Sequence, residues 1–305
     1  MEQLNRKEFI KSSTVLLAAA FSGTRVFDFK KKEPLLSFST LGCPDWNFQK
    51  IVDFAVQNNY TGIEIRGLQH EMDLTKCNEF SKQNLPSTIK IMQEKKLRFV
   101  DLGSSAALHI AEVTERKKNL DEARRFIDLA QQIHCPYVRV FPNKIPEGQG
   151  KDATIDLIIK GLNELGRYTK DTGVMVLMET HGDLVIADDL EKIMHGAEHA
   201  NVGLVWDITN MWSVTKEPPE AVYKKLKKYI HHTHIKDARI INGKVEYTRL
   251  GKGDVPIFRA IDLLSNNGYK GYYSFEWEKL WHPELEDPET ALADYPKAMK
   301  EHFNN

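Results

Sequence analysis

The sequence predicts an α/β fold, a (β/α)8 TIM barrel, on three observations. Apolar strand-like runs alternate with segments of helical period, the alternation repeats eight times, and no glycine-rich phosphate turn follows the first strand. Regular alternation implies parallel strands joined by crossover helices, and eight such units closing on themselves is the count of a barrel. An open doubly wound sheet would want a GxGxxG turn after its first strand, where this chain has Gly42-Cys43-Pro44.

In order, a strand at 35–40 precedes a helix over 47–58, and a strand at 62–66 a helix over 87–96. The strand at 98–103 feeds a long helix over 115–133, and that at 137–141, closed by Pro142, a helix over 153–170. Residues 174–178 are nearly all apolar, as a parallel strand buried on both faces requires. Asp188 reads as the N-cap of a helix running to residue 200. Strands at 202–206 and 230–235 flank a helix over 221–228. The last units are a helix over 257–266 behind Pro256, a strand at 271–275 and a helix over 289–302. Residues 239–252 read as a hairpin insertion turning at Asn242-Gly243 and placed to cover the barrel mouth.

Charge bounds the partners. Lys and Arg total 42 against 43 Asp and Glu, a balance that provides no general attraction to nucleic acid or anionic membranes. No apolar run past residue 30 is long enough to span a bilayer. Residues 1–30 read as an export signal and linker before a single barrel domain at 31–305. Basic residues around Arg6-Lys7, a short apolar run at 15–21 and small residues at Ala20 and Ser22 are the parts of such a signal, which points to the periplasm or envelope. Arg6-Lys7 stands where a twin-arginine signal has two arginines. Cys43, Cys77 and Cys135 form no CxxC pair and are expected as buried free thiols.

In a barrel, chemistry sits where strands end at the C-terminal face. Here the fifth strand ends in Glu179-Thr180-His181, the sixth in Trp206-Asp207, the seventh runs His231 to Asp237, and the eighth ends in Glu276-Trp277-Glu278. Carboxylates converging in a partly buried mouth repel and raise one another's pKa, a cost that a divalent cation removes. Glu179, Asp207, His234 and Glu276 are therefore the expected ligands of one divalent ion, Mn, Co, Zn or Mg. Strand alternation places His232 and His234 on one face and His231 on the other. His109 and His181 are candidates for substrate contact. Trp46, with Trp206, Trp212, Trp277 and Trp281, is expected near the mouth, where indole faces pack on sugar C–H surfaces.

Taken in order, Ser39-Thr40-Leu41-Gly42, Gly62-Ile63-Glu64-Ile65-Arg66, Glu179-Thr180-His181, Trp206-Asp207-Ile208, His234-Ile235-Lys236-Asp237, Gly251-Lys252-Gly253-Asp254 and Phe275-Glu276 resemble the xylose-isomerase-like barrel superfamily. Within it, the chain is similar to the sugar isomerase/epimerase group related to tagatose 3-epimerases and inosose dehydratases. The resemblance implies the same four ligands. It also implies that Glu179 and Glu276 act as paired acid/base catalysts on opposite sides of a sugar substrate, moving a proton beside a carbonyl through a metal-stabilised enediolate. Asn210 stands where many relatives carry a His, and Arg239 lies near, though out of register with, an Arg that holds a substrate hydroxyl. These two join Glu64 and Lys236 as substrate-contact candidates. A related lyase or dehydratase, a non-catalytic sugar-binding barrel and an endonuclease IV-like nuclease are the alternatives. The resemblance further implies a homodimer.

Overall fold

A computed structural model describes residues 33–304 except residue 198; the leader expected at 1–30 lies outside the described residues. Residues 34–305 form one compact unit. Its parallel strands are β1 (Leu36–Ser39), β2 (Gly62–Ile65), β3 (Arg98–Ala107), β4 (Tyr137–Phe141), β5 (Met175–Glu179), β6 (Val202–Asp207), β7 (Ile230–Ile235) and β10 (Tyr273–Phe275). They close in the order β1-β10-β7-β6-β5-β4-β3-β2, the expected (β/α)8 TIM barrel. The antiparallel pair β8 (Asp237–Ile241) and β9 (Lys244–Thr248) is the hairpin foreseen after β7. Asn242 and Gly243 turn it at φ 52 and 77, the left-handed values that a tight two-residue hairpin turn demands.

The crossover helices are α1 (Phe48–Gln57), α2 (Leu85–Glu94), α3 (Val113–Gln132), α4 (Lys151–Tyr168), α5 (Ala187–Gly196), α6 (Ile208–Thr215), α7 (Pro219–Leu226), α8 (Ile257–Asn266) and α9 (Pro288–Asn304). Asp188 does not cap its helix: α5 starts one residue earlier behind Ile186, and Asp188 sits in the first turn. There its charge still complements the helix dipole. Helix α6 was not foreseen, because its cap, Asp207, is also a strand end. Oδ1 of Asp207 accepts from the Asn210 amide at 2.8 Å, so strand and helix share one residue with no loop between.

Strand alternation divides the core in two. Phe38, Ile63, Val138, Val176, Leu204 and Phe275 belong to the continuous apolar layer between strands and helices. Trp206 is in that layer too, its ring 6.2 Å from Tyr223 of α7, so it packs the barrel wall. The alternate positions, Glu64, Asp101, Arg139, His232 and Ser274, are fully or almost fully buried and polar. A barrel lumen is ordinarily filled by layers of branched apolar side chains. Here these five polar and charged side chains share it with the apolar Leu177 and Val205.

Among the described residues, no helix is long and apolar enough to cross a membrane. All three cysteines are buried and free, as expected.

Candidate metal centre

Glu179 ends β5, Asp207 ends β6, His234 lies on β7 and Glu276 follows β10, so four strands adjacent in the barrel order deliver one side chain each. One ligand atom from each lies within 4.8 Å of all the others. Nδ1 of His234 is the focus, at 3.3 Å from Glu276 Oε1, 3.5 Å from Glu179 Oε1 and 3.9 Å from Asp207 Oδ2. That nitrogen is buried and has no hydrogen-bond partner. A buried, unpartnered imidazole nitrogen facing three carboxylates is a donor set that fits a divalent cation.

Two cations belonging to the chain brace the cluster. Nε of Arg139 lies 3.0 Å from Glu179 Oε2. Nζ of Lys236 lies 2.8 Å from Asp207 Oδ2 and 2.7 Å from Glu276 Oε2, and also donates to Glu278. The carboxylates respond differently to these neighbours. Burial raises the pKa of Asp207 to about 7, with Glu276 and Glu179 adding to the rise and Lys236 opposing it. Burial alone would raise Glu179 too, but His234 and Arg139 hold it well below the usual carboxylate range, so it is charged. Burial opposes charge on Lys236, yet Asp207, Glu276 and Glu278 hold it well above its ordinary value, and it stays an ammonium.

The remaining expected residues divide. Asn210, on the first turn of α6, reaches Glu179 Oε1 with its side-chain amide at 3.5 Å. His181 is half-buried beside Phe141, ring centroids 4.7 Å apart, directly after the Glu179-bearing strand. His109 is half-buried on the loop after β3, and burial beside Lys144 lowers its pKa. Lys236 is brought fully into the ligand cluster. Two others are not brought to it, and Glu64 meets it only through the His234 ring. Trp46 is buried against Phe54, with the Lys50 ammonium 4.3 Å from its ring. Arg239 is exposed on β8 and bonds the carbonyl of Lys252. Glu64 is fully buried, with its Oε2 3.2 Å from Nε2 of His234.

Arg139, Asp101 and Ser274 were not singled out by strand-end reasoning, because all three lie within strands. A signal existed: in Tyr137-Val-Arg-Val-Phe141 the charged residue stands between two valines of the outer layer, so it must face the lumen.

A family model described as xylose isomerase-like TIM barrel matches residues 52–302. An inosose dehydratase of Clostridium beijerinckii is 28% identical over 162 residues, covering 48% of this chain and 53% of that protein. The chain thus spans about half the length of the curated relatives that it matches. Among solved structures, the IOLI protein with a binding zinc atom aligns with a TM-score of 0.74 at 16% identity, covering 88% of this chain and 97% of that one. A D-tagatose 3-epimerase-like protein aligns with a TM-score of 0.71 at 18% identity, with coverage of 88% and 97%. At these identities the structural likenesses show the fold.

Proposed function

Because the chain belongs to the xylose isomerase-like TIM barrel family, we propose that it is an enzyme that moves a proton on the carbon beside a carbonyl of a sugar or sugar derivative. In this reading Glu179, Asp207, His234 and Glu276 hold one divalent cation, Mn, Co, Zn or Mg. The convergence of Glu179 and Glu276 on Nδ1 of His234, at 3.5 and 3.3 Å, is the observation that carries it. The zinc atom bound by the structurally similar IOLI protein supports a resident cation as well. When bound, the cation offsets the carboxylate charge and polarises the carbonyl and neighbouring hydroxyl oxygens of the substrate.

The residues supply the rest. Glu179, whose Oε2 is paired with the Arg139 guanidinium at 3.0 Å, accepts the proton from carbon. Asn210, 3.5 Å from Glu179 Oε1, is placed to donate to a substrate oxygen beside it. Glu276, which takes a proton from solvent, returns it from its own side of the cluster while Glu179 releases its proton to solvent, and the Lys236 ammonium fixes Glu276 Oε2 at 2.7 Å. Return to the opposite face of the same carbon epimerises it, and return to the neighbouring carbon isomerises the sugar. General acid–base help of this kind contributes about 10²- to 10⁴-fold.

Dehydration is the second reading, favoured by the inosose dehydratase relatives and by one structural observation. The positive charge of Lys236, held between Asp207, Glu276 and Glu278, can stabilise the negative charge of a departing hydroxyl, which an elimination requires and an epimerisation does not.

The test is NMR in D2O with a panel of ketoses and inososes, with Mn, Co, Zn or Mg added. Deuterium is expected at the carbon beside the carbonyl with wild type and not with Glu179→Gln. Ultraviolet absorbance of a conjugated enone appearing with the exchange selects dehydration; exchange without it selects isomerase or epimerase chemistry. No exchange across the panel with any ion sinks the proposal.

A further inference from the structure

We infer that Glu64, which touches no substrate, is a positioning residue that fixes His234 as a metal ligand; the inference rests on the metal centre proposed above. Glu64 is on β2, across the lumen from β7, and is fully buried. Its Oε2 lies 3.0 Å from His232 Nε2 and 3.2 Å from His234 Nε2, and accepts from the Ser274 hydroxyl at 2.9 Å. Three groups on two neighbouring strands therefore converge on one carboxylate oxygen.

The consequence falls on the His234 ring. A carboxylate oxygen accepts, so Nε2 of His234 carries the hydrogen. In the neutral ring Nδ1 is then left with a lone pair, the form in which imidazole ligates a cation. That is the nitrogen that faces Glu179, Asp207 and Glu276. A ligating histidine held by a carboxylate at its other nitrogen has both its tautomer and its ring plane set by that partner. The lumen holds His234 in this way from below, a layer under the centre.

Glu64, Asp101, His232 and His234 also offer one ligand atom each within 4.8 Å of one another, and both Asp101 oxygens are buried without hydrogen-bond partners. A second ion held by all four would need Nε2 of His234 while the first takes Nδ1. One imidazole serves both only by giving up its ring proton, so the geometry favours a hydrogen-bonded brace over a second site.

The experiment is a titration of the metal-free chain with Co2+, read by its visible spectrum and by calorimetry, on wild type, Glu64→Gln, Ser274→Ala and His234→Ala. Wild type is expected to take one equivalent. Glu64→Gln, whose amide can donate where the carboxylate only accepts, is expected to bind about 10- to 100-fold more weakly with an altered spectrum. Ser274→Ala, which removes a side-chain hydrogen bond to Glu64 and none to the His234 ring, is expected to stay within a few-fold of wild type. If His234→Ala binds like wild type, the metal centre itself is wrong. If His234→Ala loses the ion and Glu64→Gln binds like wild type, the centre stands and the role given to Glu64 falls. Two equivalents in wild type, one of them lost in Glu64→Gln, would make the lumen cluster an ion site and overturn the brace. Long-range 1H–15N spectra of the wild-type zinc form decide the matter even if Glu64→Gln fails to fold. His234 must show a protonated Nε2 and a metal-bound Nδ1, and the opposite assignment refutes the inference.

Discussion

Nε of Arg139 lies 3.0 Å from Oε2 of Glu179, an ion pair between neighbouring strands in which the arginine is 1% and the glutamate 2% exposed. The guanidinium is committed elsewhere as well. Its Nη1 donates to the Ser104 carbonyl at 2.6 Å, and its Cζ lies over the Phe141 ring, 3.8 Å from the centroid. Breaking a buried pair by removing one partner leaves the other charge uncompensated and costs about 3–5 kcal/mol. Arg139→Leu should therefore lower the unfolding free energy measured in urea by that order, and added divalent cation should restore part of the loss by binding Glu179. Arg139→Lys should recover little, because a lysine has no planar fork that reaches Glu179 and Ser104 while covering the Phe141 ring. An Arg139→Leu protein as stable as wild type without metal would show that the pair holds nothing.

The thiols should be inert in the folded chain. Thiolate is the reactive form, and burial disfavours it. Burial pushes Cys77 up to about 12 and Cys135 well above its ordinary value, and Cys43 is raised in the same way. Iodoacetamide at about pH 8 should leave the native mass unchanged and add three carbamidomethyl groups only in denaturant. An adduct on the native protein, located to Cys43, Cys77 or Cys135, would contradict the burial on which this expectation rests.

Which residues were legible in the chain follows from where each kind of information resides. Glu179, Asp207 and Glu276 stood out because each is a polar residue at the end of an apolar run, and strand alternation put His234 on the same side of its strand as His232. A barrel gathers such ends at one rim. Glu64, Asp101 and Arg139 stand inside runs, and their role depends on which face of the strand meets the lumen, a choice made by closure of the barrel rather than by local pattern. Trp46 shows the limit from the other side. An indole near a strand end serves wall or mouth equally well, and its burial against Phe54 is decided by packing of α1. Helix α6 escaped because its N-cap is a metal-ligand candidate, so the Asp207 position had two jobs and only one was read.

Acid should weaken the start of α3 through Glu112. Its Oε1 accepts from the Thr114 amide at 2.9 Å and its Oε2 from the Glu115 amide at 2.7 Å, satisfying two of the helix's unpaired donors. Those amides hold its pKa below the ordinary carboxylate value. A carboxyl with a folded pKa below its unfolded value of about 4.3 stabilises above that value and loses the contribution as pH falls through the folded one. Wild type should therefore exceed Glu112→Ala in urea midpoint at neutral pH, and the two should converge in acid below about pH 4. A gap that stays constant from neutral pH into that acid range would remove the carboxylate from the explanation.

Gly253 holds a turn to the strand end that carries Lys236. Asp237, the next residue, accepts from the Gly251 and Gly253 amides through Oδ2 at 2.8 and 2.9 Å, and from the Ala238 amide through Oδ1 at 2.8 Å. A Cβ on Gly253 would come 2.1 Å from Asp237 Oδ1 and 2.5 Å from the Ala238 carbonyl, and one of those atoms is backbone. Relief requires either moving β8 or turning the Asp237 carboxylate off the amides it accepts, and both disturb the residue beside Lys236. Gly243, at the hairpin tip, is the contrast: φ is 77, and a Cβ there meets nothing within 4 Å. Its alanine carries only left-handed backbone strain, about 1–2 kcal/mol. Gly253→Ala should therefore lower the urea midpoint more than Gly243→Ala. It should also weaken Co2+ binding, because the Lys236 ammonium that braces Asp207 and Glu276 shifts with its neighbour. The opposite order of the two midpoints, or unchanged Co2+ affinity in a clearly destabilised Gly253→Ala, would mean that the turn and the metal centre are not mechanically joined.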